Sequence, residues 1–190
     1  TQNGRMKQTH PSGGIDLKKN YKKMITMDFK EIDNLVILIG KTEGHIDQSL
    51  LARIILDEKN GPPPEINLFN EKNNGESVLN LIEKGFIKSA HDVSLGGILT
   101  AVSKMCIRGN KGIKLEKSKN LMNDFEFFFS EDQGRYIVEI EKKDLKEVTK
   151  ILDKNSVHHE KLGVILDKDV IINEKTKVTI DELKAYNNNW

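Results

Sequence analysis

The stretch that decides the fold is residues 86–108, FIKSAHDVSLGGILTAVSKMCIR. Residues 86–93 form a short, largely apolar segment, which is typical of a strand in a sheet. Ser94 then offers the side chain that helix N-caps prefer, and the glycines at 96 and 97 mark a turn. From residue 96 to 108 the apolar spacing is helical, with the predicted buried face Ile98, Val102, Met105 and Cys106. The stretch therefore predicts a strand that turns into a helix.

Strands and helices alternate on both sides of this unit. The run LVILI at residues 35–39, ended by Gly40, predicts a buried strand. The other predicted strands are residues 113–115, 125–129, 136–140, 157–165, 170–172 and 177–179, and the other predicted helices are residues 47–57, 70–84, 144–154 and one after Asp181. This order of elements predicts an α+β fold, a mixed β-sheet covered by helices.

Apolar spacing also assigns an inward face to the predicted helices. These faces are Leu50, Leu51, Ile54 and Ile55 in the first helix, Val78, Leu81 and Ile82 in the second, and Leu145, Val148, Ile151 and Leu152 in the helix at 144–154. Gly61 and the three prolines that follow it are expected to stop the first helix, and Gly85 the second.

Composition excludes several classes of protein. The chain has 190 residues, a net charge of +1 and 37% hydrophobic residues, which suits a globular domain rather than a disordered chain or a nucleic-acid binder driven by bulk charge. It has no apolar run long enough to span a membrane and no secretory signal pattern, so no membrane partner is expected. One cysteine excludes an internal disulfide and favours a reducing, cytoplasmic location. Residues 1–20 are polar and glycine-containing, and predict a flexible linker or a cloning remnant before a domain at residues 21–190.

The junction between the strand and the helix is the first candidate site, with His91, Asp92, Ser94, Gly96 and Gly97. A helix N-terminus carries free N–H groups and a partial positive charge, and glycines let a ligand approach the backbone. These residues are candidates for binding phosphate or another anion. The structural alternative, favoured on spacing alone, is that the serine caps the helix, the glycines allow close packing and the aspartate orients the histidine.

The second candidate site is the polar loop at residues 131–135. Glu131, Asp132 and Gln133 offer carboxylate and amide groups that can hold a metal or an amide substrate. The alternative, again favoured, is a hairpin turn in which Gly134 supplies a left-handed conformation and Arg135 pairs with an acid.

Other polar or reactive residues carry weaker signals. Adjacent residues on a strand point to opposite faces, so His158 and His159 are not expected to share a metal. Cys106 lies on an apolar helical face and is expected to be a buried structural thiol. Residues 42–45 form either a ligand-facing loop or, as favoured, a plain turn. No motif for a P-loop, a dinucleotide fold or a zinc protease is present.

Several motifs together resemble the C-terminal-type domain of the AIR synthase-related superfamily. Within it, the chain is similar to the phosphoribosylformylglycinamidine synthase family. The matching segments, in order, are LVILIGKTEG at 35–44, GPPP at 61–64, SAHDVSLGGI at 89–98, FSEDQGR at 129–135 and LGVI at 162–165. The resemblance covers about residues 21–190, and the wording of the third and fourth segments resembles the second of two such domains in that family.

The resemblance implies an ATP- and Mg²⁺-dependent ligase in purine biosynthesis. ATP would phosphorylate the amide oxygen of formylglycinamide ribonucleotide, and ammonia from a glutaminase subunit would displace phosphate to give the amidine. The ATP and Mg²⁺ ligands would lie mostly in other domains, so the chain alone is expected to be inactive, with no catalytic residue and no metal ligand of its own. Its partners would be the N-terminal domains of the same enzyme, the glutaminase and a small accessory subunit.

The same resemblance leaves the role of this domain open. One reading keeps a weak substrate- or phosphate-binding site at His91, Asp92, Ser94, Gly96, Gly97, Glu131, Gln133 and Arg135. The other makes the domain a non-catalytic scaffold that stabilises a two-half enzyme and docks its partners, and a homodimer of the chain is also open. Two departures from the family pattern favour the scaffold: Leu95 replaces a common aspartate, and Asp132 replaces the usual serine. A different member of the superfamily, such as AIR synthase or selenophosphate synthetase, is ranked lower.

Overall fold

The apolar run at residues 35–39 forms an interior strand of a mixed sheet. The computed structural model of the protein describes residues 23–117 and 122–188, so the predicted linker at 1–20 lies outside the described residues. Within them, seven strands form one sheet: β1 Leu35–Ile39, β2 Ile87–Asp92, β3 Gly112–Leu115, β4 Tyr136–Ile140, β5 His159–Leu166, β6 Asp169–Ile172 and β7 Thr176–Thr179. The strand order is β2-β4-β1-β5-β3-β6-β7. Strands β3 and β6 pair in parallel and the other neighbours pair antiparallel, so the predicted mixed sheet is confirmed.

Helices cover both faces of the sheet. They are α1 Leu68–Glu83, α2 Gly97–Gly109, α3 Asp124–Phe129, α4 Leu145–Lys154 and α5 Ile180–Asn188. Because side chains alternate along a strand, β1 serves two cores. Val36 and Leu38 belong to the core under α2, α3 and α5, whereas Leu35, Ile37 and Ile39 belong to the core under α1 and α4. The fully buried central strand explains why its sequence is continuously apolar.

Helix α2 follows the sequence prediction closely. Its predicted inward residues, Ile98, Val102, Met105 and Cys106, are all fully buried. The helix ends at Asn110, whose φ of 50° is left-handed, a common conformation at helix C-termini. Helix α4 likewise buries Val148 and Leu152 completely.

The prediction of a strand at residues 125–129 is wrong, because this segment is the helix α3. The three consecutive phenylalanines suggested a strand, since aromatic residues are enriched in sheets. A capping box overrides that preference: Asn123 accepts a hydrogen bond from the N–H of Glu126, and the Glu126 carboxylate accepts one from the N–H of Asn123. Phe127 and Phe128 are buried in the core under α2, α3 and α5.

The predicted helix at residues 47–57 is reduced to one π-helical turn at Leu51–Ile55. Gln48 and Asp57 have left-handed φ angles of 63° and 54°, which end the helix on both sides. The predicted inward residues Ile54 and Ile55 are instead exposed by 56% and 70%. Among the described residues, no helix is long and apolar enough to cross a membrane.

Candidate functional site

The predicted polar loop at residues 131–135 connects α3 to β4 and lies beside the N-terminus of α2. Gly134 has a φ of +65°, as the turn interpretation required. The N–H of Val93 donates to the carbonyl oxygen of Arg135 at 2.9 Å, which ties this loop to the end of β2. The structure therefore brings together the two candidate clusters that lie about forty residues apart in the sequence.

Arg135 is buried and is held by the protein itself. Its side chain donates to the carbonyl oxygen of Asp132 through Nε at 3.2 Å, to Thr42 Oγ1 through Nη1 at 3.0 Å and to the carbonyl oxygen of Ser130 through Nη2 at 2.7 Å. Burial lowers the pKa of the guanidinium, and the nearby Asp132 carboxylate, with Oδ2 3.6 Å from Nη1, opposes that shift. Since these donors face internal acceptors, the arginine orders the loop.

Asp132 accepts three hydrogen bonds from consecutive backbone N–H groups. The N–H groups of Glu43 and Gly44 donate to its Oδ2 at 3.0 and 3.2 Å, and that of His45 donates to Oδ1 at 3.1 Å. The carboxylate is buried, and Gly44 has a φ of +83°. The segment at 42–45, expected to be a plain turn, is therefore a backbone cradle for an internal carboxylate.

Glu131 joins two further elements through one carboxylate oxygen. Its Oε1 accepts from the N–H of Leu50 at 2.8 Å and from the N–H of Gly96 at 2.7 Å. The first donor lies just before the π-helical turn, and the second lies at the start of α2. An internal carboxylate thus already occupies the N–H end of the helix where an external anion was predicted.

Gly97, the first residue of α2, lies close to the end of α3. Gly96 and Gly97 have φ angles of 82° and 69°, and a Cβ on Gly97 would lie 2.6 Å from the carbonyl oxygen of Ser130. The prediction that the Ser94 side chain caps α2 is wrong: the N-cap is Gly96, without a side-chain cap. Only the carbonyl oxygen of Ser94 takes part, accepting from the N–H of Gly97 at 3.0 Å. The packing interpretation fits Gly97, whereas a Cβ on Gly96 would meet the side chain of Thr100 within α2 itself.

His91 and Asp92 lie at the end of the edge strand β2. His91 Nδ1 is 3.0 Å from Asp92 Oδ1, as expected if the aspartate orients the ring. His91 Nε2 is buried and has no hydrogen-bond partner within the described residues. The Asp92 side chain is 63% exposed, so the pair sits at the surface end of the strand.

A cavity of about 360 Å³ lies between the two clusters. Five of the eight predicted site residues line it, namely Asp92, Ser94, Glu131, Gln133 and Arg135, whereas His91, Gly96 and Gly97 do not. Glu71 also lines the cavity, so three acidic residues contribute to its wall, whereas the Arg135 side chain is buried and bonded to internal acceptors. Burial, with the nearby carboxylates, raises the pKa of Tyr136 in the same wall. This negative surplus does not favour a phosphate-bearing ligand.

A larger cleft of about 920 Å³ lies on the other side of the loop. Its walls include Lys41, His45 and His158 as basic or titratable groups, and Gln133 as a neutral one. Glu43 faces the same cleft but pairs with Lys41 at 2.8 Å. Sequence reasoning did not single out this cleft, because its walls come from four separate segments.

The described residues of this domain do not fit ATP or Mg²⁺. No group of three or more His, Cys, Asp or Glu side chains within residues 23–117 and 122–188 is placed to hold a metal ion. The Gly96 N–H is taken by Glu131, and the adjoining cavity carries surplus negative charge. These residues do not fit a nucleotide phosphate, and no chemical step is assigned to them.

The other candidate residues from the sequence are Cys106 and the adjacent histidines His158 and His159. Cys106 lies on the buried face of α2 and is fully buried. Burial raises the pKa of its thiol, as expected for a structural cysteine. His158 is exposed, whereas the His159 side chain is only 16% exposed and its Nδ1 is 3.0 Å from the carbonyl oxygen of Val157.

Sequence reasoning missed a buried carboxylate at Glu139 in β4. This side chain is fully buried and accepts from the N–H groups of Lys30 and Glu31, from Asn34 Nδ2 and from Ser89 Oγ, at 2.7–3.0 Å. It fastens the segment before β1 to the sheet. A glutamate within an otherwise apolar strand, YIVEI, was the available signal.

The fold and the two loops belong to a known family. Residues 31–173 match the family model described as AIR synthase related protein, C-terminal domain. The chain belongs to this family, and the fold predicted from its motifs is confirmed.

Two curated relatives of the chain are synthase subunits of the same name. The chain is 62% identical over 185 residues to phosphoribosylformylglycinamidine synthase subunit PurL of Pelagibacter ubique, covering 97% of this chain and 25% of that relative. It is 32% identical over 177 residues to the subunit of the same name from Bartonella henselae, covering 93% of this chain and 24% of that relative. The chain therefore spans about a quarter of the length of these relatives, and the predicted resemblance to this synthase family is confirmed.

Solved structures show the same fold at low sequence identity. Thermotoga maritima PurL complexed with FGAR matches 86% of this chain and 30% of that chain, with a TM-score of 0.70 and 19% identity. A thiamine-monophosphate kinase from Stenotrophomonas maltophilia matches 78% of this chain and 52% of that chain, with a TM-score of 0.54 and 13% identity. Because differently named enzymes share this fold, the fold alone does not decide the function.

Proposed function

We propose that the chain works as a C-terminal-type domain of a phosphoribosylformylglycinamidine synthase, in the second half of the PurL-type subunit. The observation that carries this proposal is the 62% identity to one such subunit over 97% of the chain. The complete enzyme would be a cytoplasmic, ATP- and Mg²⁺-dependent ligase that converts formylglycinamide ribonucleotide to its amidine. The N-terminal domains, a glutaminase subunit and a small accessory subunit would complete it.

In this proposal the chain alone has no synthase activity. Its aligned relatives are about four times as long, so most of the catalytic apparatus would lie in other domains. The described residues support that division, because the Gly96 N–H at the start of α2 already binds Glu131 and three acidic residues line the adjoining cavity. The domain would stabilise the structure of the enzyme rather than bind the nucleotide.

A domain exchange tests the proposal directly. The matching quarter of the Pelagibacter ubique subunit is replaced by this chain, and amidine formation is measured with ATP, formylglycinamide ribonucleotide and an ammonium salt. The chimera is expected to retain activity, and the isolated chain is expected to show none. The unmodified subunit is the positive control. A folded but inactive chimera would argue against the proposal, and amidine formation by the isolated chain would refute the inactivity of the domain alone.

Exposed apolar residues favour a second candidate function, that of a docking scaffold. The segment from the π-helical turn to the start of α1 exposes Ile54, Ile55, Leu56, Ile66, Leu68 and Phe69, each by more than half. Soluble monomers rarely expose large apolar patches, so such residues mark surfaces that another domain covers. The rest of the same subunit is the proposed occupant, since the curated relatives extend well beyond the aligned quarter.

Ligand titration separates a binding domain from a scaffold. Isothermal titration of the chain with ATP or formylglycinamide ribonucleotide is expected to show no saturable binding. Saturable binding that Gln133→Ala weakens would favour the binding site, because Gln133 is exposed and faces both cavities. If the domain is a scaffold, Phe69→Asp is expected to weaken the packing of this domain against the rest of the chimeric subunit. Tyr186→Asp, at an exposed aromatic residue on α5, is the matched control and should not weaken that packing.

A further inference from the structure

The cradle around Asp132 has the construction of an anion-binding site. Three consecutive backbone N–H groups, from Glu43 to His45, converge on one carboxylate at 3.0–3.2 Å. Successive N–H groups around a left-handed residue form a concave nest that binds anions through main-chain dipoles, and Gly44 with a φ of +83° is that residue here. The nest is therefore built and occupied, with the protein supplying the anion.

A fixed positive charge supports the same nest. Arg135 Nη1 lies 3.6 Å from Asp132 Oδ2 and donates to Thr42 Oγ1, next to the first nest residue. The guanidinium is buried and its orientation is set by two backbone carbonyl oxygens. An anion in the nest thus meets three N–H dipoles and a charge that cannot turn away, a combination that a simple turn does not require.

The nest opens towards the large cleft. Glu43, Gly44, His45 and Asp132 all line the cleft of about 920 Å³, although Asp132 itself is only 7% exposed. A side chain that ended at Cβ would leave a carboxylate-sized space with a route to solvent. The other acids in the wall are Glu43, which pairs with Lys41, and Glu65 and Glu71.

We propose that residues 43–45 and Arg135 form an oxyanion site that the chain keeps filled with the carboxylate of Asp132. The identity of residue 132 then determines whether the cleft accepts an external carboxylate or phosphate at this wall. With aspartate present the site is closed to external anions, and the loop at 131–135 is latched to the segment at 42–45. This inference does not depend on the proposed synthase function.

Chemical rescue of Asp132→Ala tests the site. Formate replaces the missing carboxylate atom for atom, and inorganic phosphate tests the larger oxyanion that the cleft can accommodate. Each is titrated while the Tm and the ¹⁵N–¹H signals of Glu43, Gly44 and His45 are followed, with sodium chloride at matched ionic strength as the control. Asp132→Asn is the matched variant, because it removes the charge but still fills the space.

Both anions are expected to raise the Tm of the alanine variant saturably, by about 3–6 °C when the anion is at roughly twenty times its Kd. The three amide signals should shift together, and the wild type and Asp132→Asn should not respond. Equal responses in all three proteins, or no response of the alanine variant to either anion, would overturn the proposal. If that variant is unfolded in buffer, refolding by formate or phosphate supports the proposal, and failure of both to refold it contradicts the proposal.

Discussion

Replacing Glu139 by alanine is expected to destabilise the domain more than any surface change. The carboxylate is fully buried and accepts four hydrogen bonds at 2.7–3.0 Å. Hydrogen bonds to charged groups each contribute about 1.5–3 kcal/mol net, while burying the charge costs several kcal/mol. Truncation leaves two backbone N–H groups and two polar side chains without their partner, so we expect a loss of about 3–5 kcal/mol. Domains of this size have a total stability of about 5–15 kcal/mol.

Urea unfolding followed by circular dichroism measures this loss. The midpoint should fall markedly, and the slope of free energy against urea should stay unchanged if the native state is otherwise intact. Glu141→Ala is the matched control, because Glu141 directly follows β4 but is only half-buried, and solvent weakens its ion pairs with Lys88 and Lys143. Its effect should be much smaller. A loss below about 1 kcal/mol for Glu139→Ala would refute the reasoning that this buried carboxylate fastens the segment before β1.

Three further predictions concern other parts of the fold. Gly97→Ala is expected to lower the free energy of unfolding by about 2–4 kcal/mol, measured in urea, because the new Cβ is strained by the left-handed backbone and also clashes with the end of α3. The control Gly85→Ala introduces the same backbone strain but no clash, so it should lower the free energy of unfolding by only about 1–2 kcal/mol. The bonded lysines lower the pKa of Glu141 from 4.5 to about 2, so its stabilising effect is complete above pH 4.5 and is lost towards pH 2. Glu141→Gln should therefore flatten the decrease of Tm over that interval, and an unchanged curve would contradict the assignment. Cys106 should react with a thiol reagent only after unfolding, since burial raises its pKa; rapid native-state labelling would show that α2 opens.

Local sequence patterns correctly predicted the elements that have a simple pattern of buried residues. Strand β1 is buried on both faces and α2 along one stripe, so continuous and helical apolar spacing were sufficient signals. The failures occurred where short polar contacts overrule propensity. The capping box at Asn123 and Glu126 converts an aromatic run into α3, although that spacing of residues was visible in the sequence.

The sequence predicted that two loops contribute to the candidate site, but it did not predict the hydrogen bonds that join them. Sequence spacing cannot show that Glu131 reaches the N–H of both Leu50 and Gly96, because those donors are 81 and 35 residues away. It also cannot show that Arg135 is turned inwards, since an arginine in a polar loop is usually exposed. The sequence departure at Asp132 was noticed, but its three backbone partners depend on the tertiary structure.

The two adjacent carboxylates accept hydrogen bonds from backbone N–H groups at the two places where an external anion could bind. Glu131 takes the Gly96 N–H and Asp132 takes three N–H groups of the neighbouring segment, so the loop supplies its own anions to both places. An external phosphate would have to displace a carboxylate whose attachment is intramolecular and therefore costs little ordering entropy. The same bonds join α2, the segment at 42–45 and the π-helical turn into one rigid unit. In the proposed scaffold role, this unit would present the exposed apolar residues near the π-helical turn to a neighbouring domain.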